Sequence, residues 1–106
     1  MPGYVGEGNV TTDGTEQTLI TDTSNRVYIL ALDTSAMQNG DVIELRIKTK
    51  VRSGGAESLA FYATYAHAQG VPVKYSIPVA ADISIKCTIK RIAGTNRSYD
   101  WKLLIA

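Results

Sequence analysis

The stretch that decides the fold is residues 41–52, Asp-Val-Ile-Glu-Leu-Arg-Ile-Lys-Thr-Lys-Val-Arg, in which apolar and charged side chains alternate. One side of this stretch carries Ile43, Leu45, Ile47, Thr49 and Val51. The other side carries Glu44, Arg46, Lys48, Lys50 and Arg52. A period of two places successive side chains on opposite faces of a β-strand, whereas a helix would spread the same residues around its circumference. The pattern predicts a strand with one face on a core and the other in water or against a partner.

The same period recurs near the end of the chain. Residues 82–92 place Ile83, Ile85, Cys87 and Ile89 on one face. Residues 97–105 place Tyr99, Trp101, Leu103 and Ile105 on one face. The short loop between these runs, residues 93–96, contains Gly94 and Asn96, which tolerate a positive φ, so it predicts that the last two strands form a hairpin.

Two other stretches, residues 27–32 and 59–67, are apolar on both faces and predict strands that are covered on two sides. For residues 57–68 a helix is the alternative, because alanine is frequent there, but the aromatic and β-branched content favours a strand. A short strand is also expected at residues 15–21. Residues 71–80 contain Pro72 and Pro78, which predict an edge or irregular strand.

Seven to eight short strands at regular spacing predict an all-β fold, an antiparallel β-sandwich of the jelly-roll or immunoglobulin-like kind. Residues 13–106 are expected to form this single domain. Residues 1–12 carry three glycines and are expected to form an extended N-terminal arm.

Length and composition exclude several classes of protein. At 106 residues, with a formal charge of +1, the chain is one domain and is not a strongly basic nucleic-acid binder. One cysteine and one histidine exclude a disulfide framework and a conventional metal cluster, and we expect no cofactor. The chain shows no apolar run long enough to span a membrane and no secretory signal, so a membrane partner is not expected.

Catalysis is not expected either. His67 is predicted to be a satisfied or interface side chain, and Cys87 to be a buried, inert thiol. Most carboxylates fall at turns or strand ends, where they bond the local backbone. A small hydrolase would instead need two carboxylates facing each other in a cleft.

The charged side of the long strand suggests two alternatives. Its cations, Arg46, Lys48, Lys50 and Arg52, are matched on the last two strands by Lys86, Lys90 and Lys102. Such a face is either solvated or a docking surface for an acidic partner. Nucleic acid is not expected, because the aromatic residues Tyr99 and Trp101 fall in the inward register.

Aromatic and apolar residues suggest two further surfaces. Tyr28, Tyr62 and Tyr75 are the tyrosines free to form a carbohydrate platform. An exposed stripe of Tyr28, Leu30 and Leu32 would favour aggregation unless it were covered, so these residues, together with Tyr62, are the predicted interface of a closed oligomer.

Four segments together resemble small structural proteins of tailed-phage particles. They are residues 14–19 (Gly-Thr-Glu-Gln-Thr-Leu), 32–33 (Leu-Asp), 38–45 (Gln-Asn-Gly-Asp-Val-Ile-Glu-Leu) and 94–101 (Gly-Thr-Asn-Arg-Ser-Tyr-Asp-Trp). The resemblance extends over most of the chain from about residue 13 and consists of turn and strand signatures.

This resemblance implies a capsid decoration, or cement, protein that is made in the host cytoplasm and placed on the capsid surface. It also implies a homotrimer whose partner is the major capsid protein, with an N-terminal arm in the contact. The residues expected to dock on the capsid are Tyr4, Val5, Arg46, Lys48, Lys50 and Arg52. The alternative is a carbohydrate- or receptor-binding module of a tail or fibre.

Overall fold

The computed structural model describes residues 3–106, so the first two residues of the expected arm lie outside the described residues. It contains nine β-strands. They are β1 (Tyr4–Thr11), β2 (Gln17–Asp22), β3 (Arg26–Asp33), β4 (Val42–Thr49), β5 (Ser58–Ala66), β6 (Val73–Tyr75), β7 (Val79–Ala81), β8 (Ile85–Ala93) and β9 (Ser98–Ile105). The strand predicted for residues 57–68 is therefore confirmed over the helical alternative.

The strands form two antiparallel sheets. Sheet A has the order β1-β9-β3, with β6 and β7 following one another along the free side of β3, and sheet B has the order β2-β8-β4-β5. If β6 and β7 are counted as one interrupted strand, the eight strands pair first with last, second with seventh, third with sixth and fourth with fifth. One long antiparallel hairpin rolled into two sheets has this pairing, which is that of a jelly roll. The predicted all-β sandwich is confirmed.

The core lies between the two sheets and is built by the inward register of each strand. In β4 the alternation found in the sequence appears directly, with Ile43, Leu45 and Ile47 at most 2% exposed. Opposite them lie inward residues of sheet A, among them Leu30 and Leu103, which belong to the same cluster of buried side chains. Complete burial of each such aliphatic side chain stabilises the fold by about 1.5–3 kcal/mol, so the inward register supplies the attraction between the two sheets.

The predicted hairpin at the end of the chain is wrong. β8 pairs with β2 and β4 in sheet B, whereas β9 pairs with β1 and β3 in sheet A. The loop from Gly94 to Arg97 therefore crosses from one sheet to the other. Its turn residues reverse the chain direction, as expected, but a turn does not determine whether the next strand pairs with the previous one or packs across the core from it.

The N-terminal segment is a strand of the sandwich, not a separate arm. From Tyr4 to Thr11 it pairs with β9, and Thr12 continues this pairing by exchanging hydrogen bonds with Arg97. Val5 and Val10 pack against the core. The sandwich therefore begins at Tyr4 and not at the predicted residue 13.

The strand predicted to be irregular, residues 71–80, is the interrupted edge formed by β6 and β7. Between them, Ser76 takes over the pairing with β3: its N–H donates to the Leu30 carbonyl at 2.8 Å, and its Oγ accepts from the Leu30 N–H at 2.9 Å. Pro72 precedes β6 and Pro78 lies in the interruption before β7, outside the paired residues, where a missing N–H group costs no ladder bond.

Asp41, just before β4, is a buried carboxylate that joins several loops at one end of the sandwich. It accepts hydrogen bonds from the Gln38 N–H (2.9 Å), the Thr95 N–H (3.0 Å) and Arg97 Nε (2.6 Å), and its own carbonyl accepts from the His67 N–H. Burial by itself raises the pKa of Asp41, but these donors outweigh it and lower the pKa from 3.8 to about 2.

We expect Asp41→Asn to lower the free energy of unfolding by about 2–3 kcal/mol, because the Arg97 guanidinium loses its charged partner. Since the folded-state pKa of Asp41 is depressed, its contribution is complete above about pH 4 and is lost as the pH falls toward 2. Urea unfolding at pH 7 and at pH 3 measures both effects. The exposed Asp82→Asn is the control, and an equal pH dependence in wild type and Asp41→Asn would contradict this role.

Three of the four residues predicted as an oligomer interface lie in the core of a single chain. Tyr28, Leu30 and Leu32 are at most 1% exposed, and the Tyr28 hydroxyl donates to Asp22 Oδ2 at 2.5 Å. β3 is apolar on both faces, as predicted, but the face toward solvent is the opposite one, with Val27, Ile29 and Ala31. Alternation alone could not decide which of two apolar faces packs against sheet B.

Leu30→Ala should therefore destabilise the single chain by about 3 kcal/mol through the cavity that it leaves. Because the side chain is internal to one chain, the loss should be the same at micromolar and near-millimolar protein concentrations. Urea unfolding at both concentrations tests this. A destabilisation that grows with protein concentration would instead indicate that Leu30 lies in an interface between chains.

Candidate interaction surface

The solvent-facing side of sheet A is apolar at one end and polar at the other. Direct cross-strand partners share a face, so the partner series Tyr4, Leu104 and Ile29 lies outward together, as does Val27 with Ala80. We call these five residues the apolar end. The polar end of the same face contains Asn9, Thr11, Asp33, Ser98 and Asp100.

The apolar end is open to solvent in the single chain. Tyr4 is 53% exposed and Val27 is 40% exposed. Lys102 Nζ lies 4.6 Å from the centre of the Tyr4 ring and 3.4 Å from Glu7 Oε2. These two charges form the boundary of the apolar end, an arrangement of apolar centre and polar rim that is typical of protein interfaces.

Between the two ends, a shallow depression of about 480 Å³ lies over Ala31. Its sides include Asp33 and Asp100, which are direct cross-strand partners. Each carboxylate has a local donor: Asp33 Oδ1 accepts from the Ser35 N–H, and Asp100 Oδ1 accepts from Asn9 Nδ2, both at 2.9 Å. Two outward carboxylates on an open sheet face offer hydrogen bonds to a polar ligand but do not exclude water from it.

The predicted cationic face lies on the solvent side of sheet B, where β4 and β8 are neighbours. Lys48 lies directly opposite Lys86, and Glu44 directly opposite Lys90. The last strand does not contribute, because Lys102 lies in sheet A. The prediction that the cations of two strand regions share one face is therefore confirmed for β4 and β8 only.

Acidic side chains partly neutralise this face. Arg46 binds Glu44 at 3.0 Å and Glu16 at 3.5 Å, and Lys48 Nζ lies 2.8 Å from Glu16 Oε2. The hydrogen bond from Lys48 is the largest of the effects that lower the pKa of Glu16. The Arg46 guanidinium also lies 5.5 Å from the centre of the Tyr62 ring. Arg46 and Lys48 are thus paired within the chain, and these pairs reduce the net positive charge that the face offers to an acidic partner.

The six residues expected to dock on a capsid do not form one surface. Tyr4 lies on the outer side of sheet A, whereas Arg46 and Lys48 lie on the outer side of sheet B, and Val5 packs against the core. The remaining two, Lys50 and Arg52, follow the end of β4 at Thr49. The sequence could not separate these residues, because the assignment of strands to sheets is a tertiary property.

Two of the three tyrosines that were predicted to be exposed are exposed, and the third is buried. Tyr62 and Tyr75 are 49% and 62% exposed, as expected for free rings, but Tyr28 is buried. Tyr99 is buried as predicted, and Trp101 is half-buried, with its ring 3.2 Å from where a Cβ at Gly8 would stand. Gly8 leaves the space that lets the Trp101 ring lie against β1.

His67 and Cys87 both have structural roles. His67 follows β5 with a φ of 64°, and its Nδ1 accepts from the Gly40 N–H at 2.9 Å, which ties two loops together. Cys87 is completely buried, and burial raises the pKa of its thiol to about 12. Among residues 3–106, no three His, Cys, Asp or Glu side chains are placed to hold a metal ion. Over the same residues, no helix is long and apolar enough to cross a membrane.

The burial of Cys87 makes its reactivity a measure of unfolding. We expect native protein to show no reaction with Ellman's reagent over an hour at pH 8, and one thiol per chain to react in 6 M guanidinium chloride. Absorbance at 412 nm follows the reaction. Rapid labelling of the native chain would contradict the burial of the thiol.

Comparison with known proteins identified no matching family model and no match among curated proteins. Among solved structures, the chain is similar to VP2 in the crystal structure of the infectious bursal disease virus VP2 subviral particle. The TM-score is 0.49 and the identity 15%, over 97% of this chain and 30% of that one. The chain thus spans less than a third of the length of that protein.

Proposed function

We propose that this chain is a non-enzymatic structural protein of a virion, which self-associates and docks on a capsid to stabilise it. The apolar end of sheet A carries the proposal. Tyr4, Val27, Ile29, Ala80 and Leu104 lie together on the outer face of sheet A, where Tyr4, Val27 and Ala80 are exposed and Ile29 and Leu104 are partly buried.

The physical argument is the free energy of covering that surface. Removing apolar area from water yields about 25 cal/mol per Å², and contiguous apolar surface with a polar rim is typical of protein contacts. A protein that docks on a shell across the boundary between two subunits adds its own buried area to theirs. The shell then opens only if both sets of contacts break.

The resemblance to tailed-phage decoration proteins supports the same role and suggests the partner. On this proposal the major capsid protein covers the apolar end, and the chain is located on the capsid surface after synthesis in the host cytoplasm. The resemblance also implies a trimer, which is the proposed oligomer on the shell.

The potential catalytic groups support a binding role. His67 is bonded to a turn, Cys87 is buried with a raised pKa, and the Asp33–Asp100 pair lies on an open face. General acid–base catalysis needs a group that is positioned on the substrate and shielded from water, which these arrangements do not supply.

A second candidate function, carbohydrate binding, is favoured by the depression over Ala31. Its carboxylates, Asp33 and Asp100, can accept hydrogen bonds from sugar hydroxyls, and Val73 beside them is 43% exposed. A glycan array separates the two functions, since retention that is lost in Asp100→Ala would support the carbohydrate site.

The docking proposal predicts that Val27→Asp weakens binding to the shell at least tenfold. The substitution places a charge, which would have to be desolvated, within the proposed contact, while its site on the outer face lets the chain fold. Co-sedimentation with shells assembled from the major capsid protein of the same virus measures the affinity. The rise in the melting temperature of those shells measures the stabilisation.

Thr18→Asp is the matched control, because Thr18 is an exposed residue of β2 in the opposite sheet. It should bind the shells as tightly as wild type. Equal affinity of Val27→Asp and wild type, or no binding by wild type at micromolar concentrations, would reject docking through the apolar end.

A further inference from the structure

Within residues 3–106 the sandwich has four edges, and three of them carry features that hinder pairing with another strand. β1 has a register shift between Tyr4 and Gly6 and carries the charged Glu7 and the glycines Gly6 and Gly8, none of which has a counterpart in β5. β2 is six residues long and has a register shift between Thr18 and Ile20. The β6–β7 edge is interrupted at Ser76. Bulges, short strands and interruptions are the devices by which natural sheets prevent edge-to-edge association.

The fourth edge, β5, lacks these protections over most of its length. Its nine residues, Ser-Leu-Ala-Phe-Tyr-Ala-Thr-Tyr-Ala, include no charged residue, proline or glycine. Its register with β4 shifts only at its beginning, opposite Lys48, and is regular from Phe61 to Ala66. From Phe61 onward the free side of β5 therefore offers backbone N–H and C=O groups to another strand, up to Ala66, whose carbonyl already accepts from Gln69 Nε2 at 2.7 Å.

Exposed apolar side chains surround this edge. Leu59 and Tyr62 of β5 are 53% and 49% exposed. Lys74 Nζ, on β6, lies 5.5 Å from the centre of the Tyr65 ring, so β5 and β6 form one rim of the sandwich. A strand that pairs with β5 would bury part of this rim in addition to its backbone.

The geometry points to a second copy of this chain as the occupant: β5 of one copy pairs antiparallel with β5 of the other. The two copies of sheet B would then form one continuous eight-stranded sheet. An antiparallel pair of identical strands has two-fold symmetry, so the contact closes on itself.

Charge and area favour an identical copy over a foreign strand. β5 has no charge, so two copies meet without repulsion, and a partner chosen by electrostatics would gain nothing there. A strand of nine residues extends about 30 Å. Pairing over that length, with the exposed side chains of Leu59 and Tyr62 beside it, contributes to the about 800 Å² per partner that a stable interface buries.

The inference rests on the proposed function, which includes self-association, and it identifies β5 as the contact between the two copies. Of the interface residues predicted from the sequence, Tyr62 belongs to this contact. Tyr28, Leu30 and Leu32 do not, because they are buried in the core. A two-fold contact produces a dimer, whereas a trimer on the shell requires a different contact, so the solution mass distinguishes them.

The test uses the full chain and two charged variants, Tyr62→Lys/Thr64→Lys and Tyr62→Glu/Thr64→Glu. Both residues face outward from β5 opposite β4 residues. Sedimentation equilibrium in low salt should show wild type at twice the monomer mass. Each variant alone should associate at least tenfold more weakly because like charges meet, and an equimolar mixture of the two should recover the dimer.

Thr18→Lys/Thr21→Lys on β2, the other edge of sheet B, is the matched control and should remain dimeric. Hydrogen exchange on wild type provides a second measurement that needs no substitution: β5 amides should become protected as protein concentration rises. A monomeric wild type, a dimer unaffected by the β5 charges, or β5 amides whose exchange ignores concentration would each overturn the inference.

Shell binding separates this outcome from the proposed function. If the β5 variants bind shells as wild type does while association in solution is unchanged, the β5 contact is wrong and capsid docking stands. If wild type dimerises through β5 but does not bind shells, the β5 contact stands and capsid docking is wrong.

Discussion

The arrangement of the loops depends on one buried carboxylate, that of Asp41. A carboxylate at 2% exposure is tolerated only when donors replace water, and here they come from the turn before β4 and from the loop that joins β8 to β9. The second loop is one of those that carry the chain from sheet B to sheet A. Asp41 therefore holds one of the crossings between the two layers of the sandwich in place. A Cβ at Gly94, whose φ is +87°, would collide with Asp41, so the same carboxylate also requires a glycine there.

With the sheets held in this way, the fold leaves more apolar surface than one core can use. Each strand has two faces, and the inner faces of both sheets are filled by the core cluster. The outer face of sheet A nevertheless keeps Ile29 and Leu104 beside Tyr4, and the rim at β5 keeps Leu59 and Tyr62. These surfaces lie on different parts of the sandwich, so one can contact a shell while the other contacts a second copy.

Unlike the apolar surfaces, which lack a partner in the described chain, most charges on the outer face of sheet B have partners within it. The formal charge of +1 hides a cationic sheet face, but Glu16 and Glu44 pair with Arg46 and Lys48 on that face. Exposed ion pairs of this kind contribute at most about 1 kcal/mol each, and they keep the face solvated. Apolar surface therefore supports the proposed binding role better than charge does. Since jelly rolls serve capsids, lectins and cupins alike, the role must be argued from such surfaces and not from the fold.

The sequence by itself determined the strands and the inward register of most of them. Alternation in β4, β8 and β9 placed Ile47, Cys87 and Tyr99 inside, where they are found, because a period of two is a local property of the backbone. The prolines likewise located the interrupted edge. The sequence also indicated that both faces of β3 are apolar, so that one of them lies outside the core of a single sandwich.

Only the tertiary structure decided which face of β3 is turned to solvent and which strands are neighbours. Leu30 and Ile29 are equally apolar, so nothing local selects between them, and the choice depends on the fit against sheet B. Whether β9 pairs with β8 or crosses to β1 depends on contacts such as that between Arg97 and Asp41, 56 residues apart in the chain. For the same reason Tyr4 and Arg46 were grouped in one docking surface and lie on two. Pairing and packing between distant segments decide the surfaces, and alternation within a segment decides only what each strand can offer.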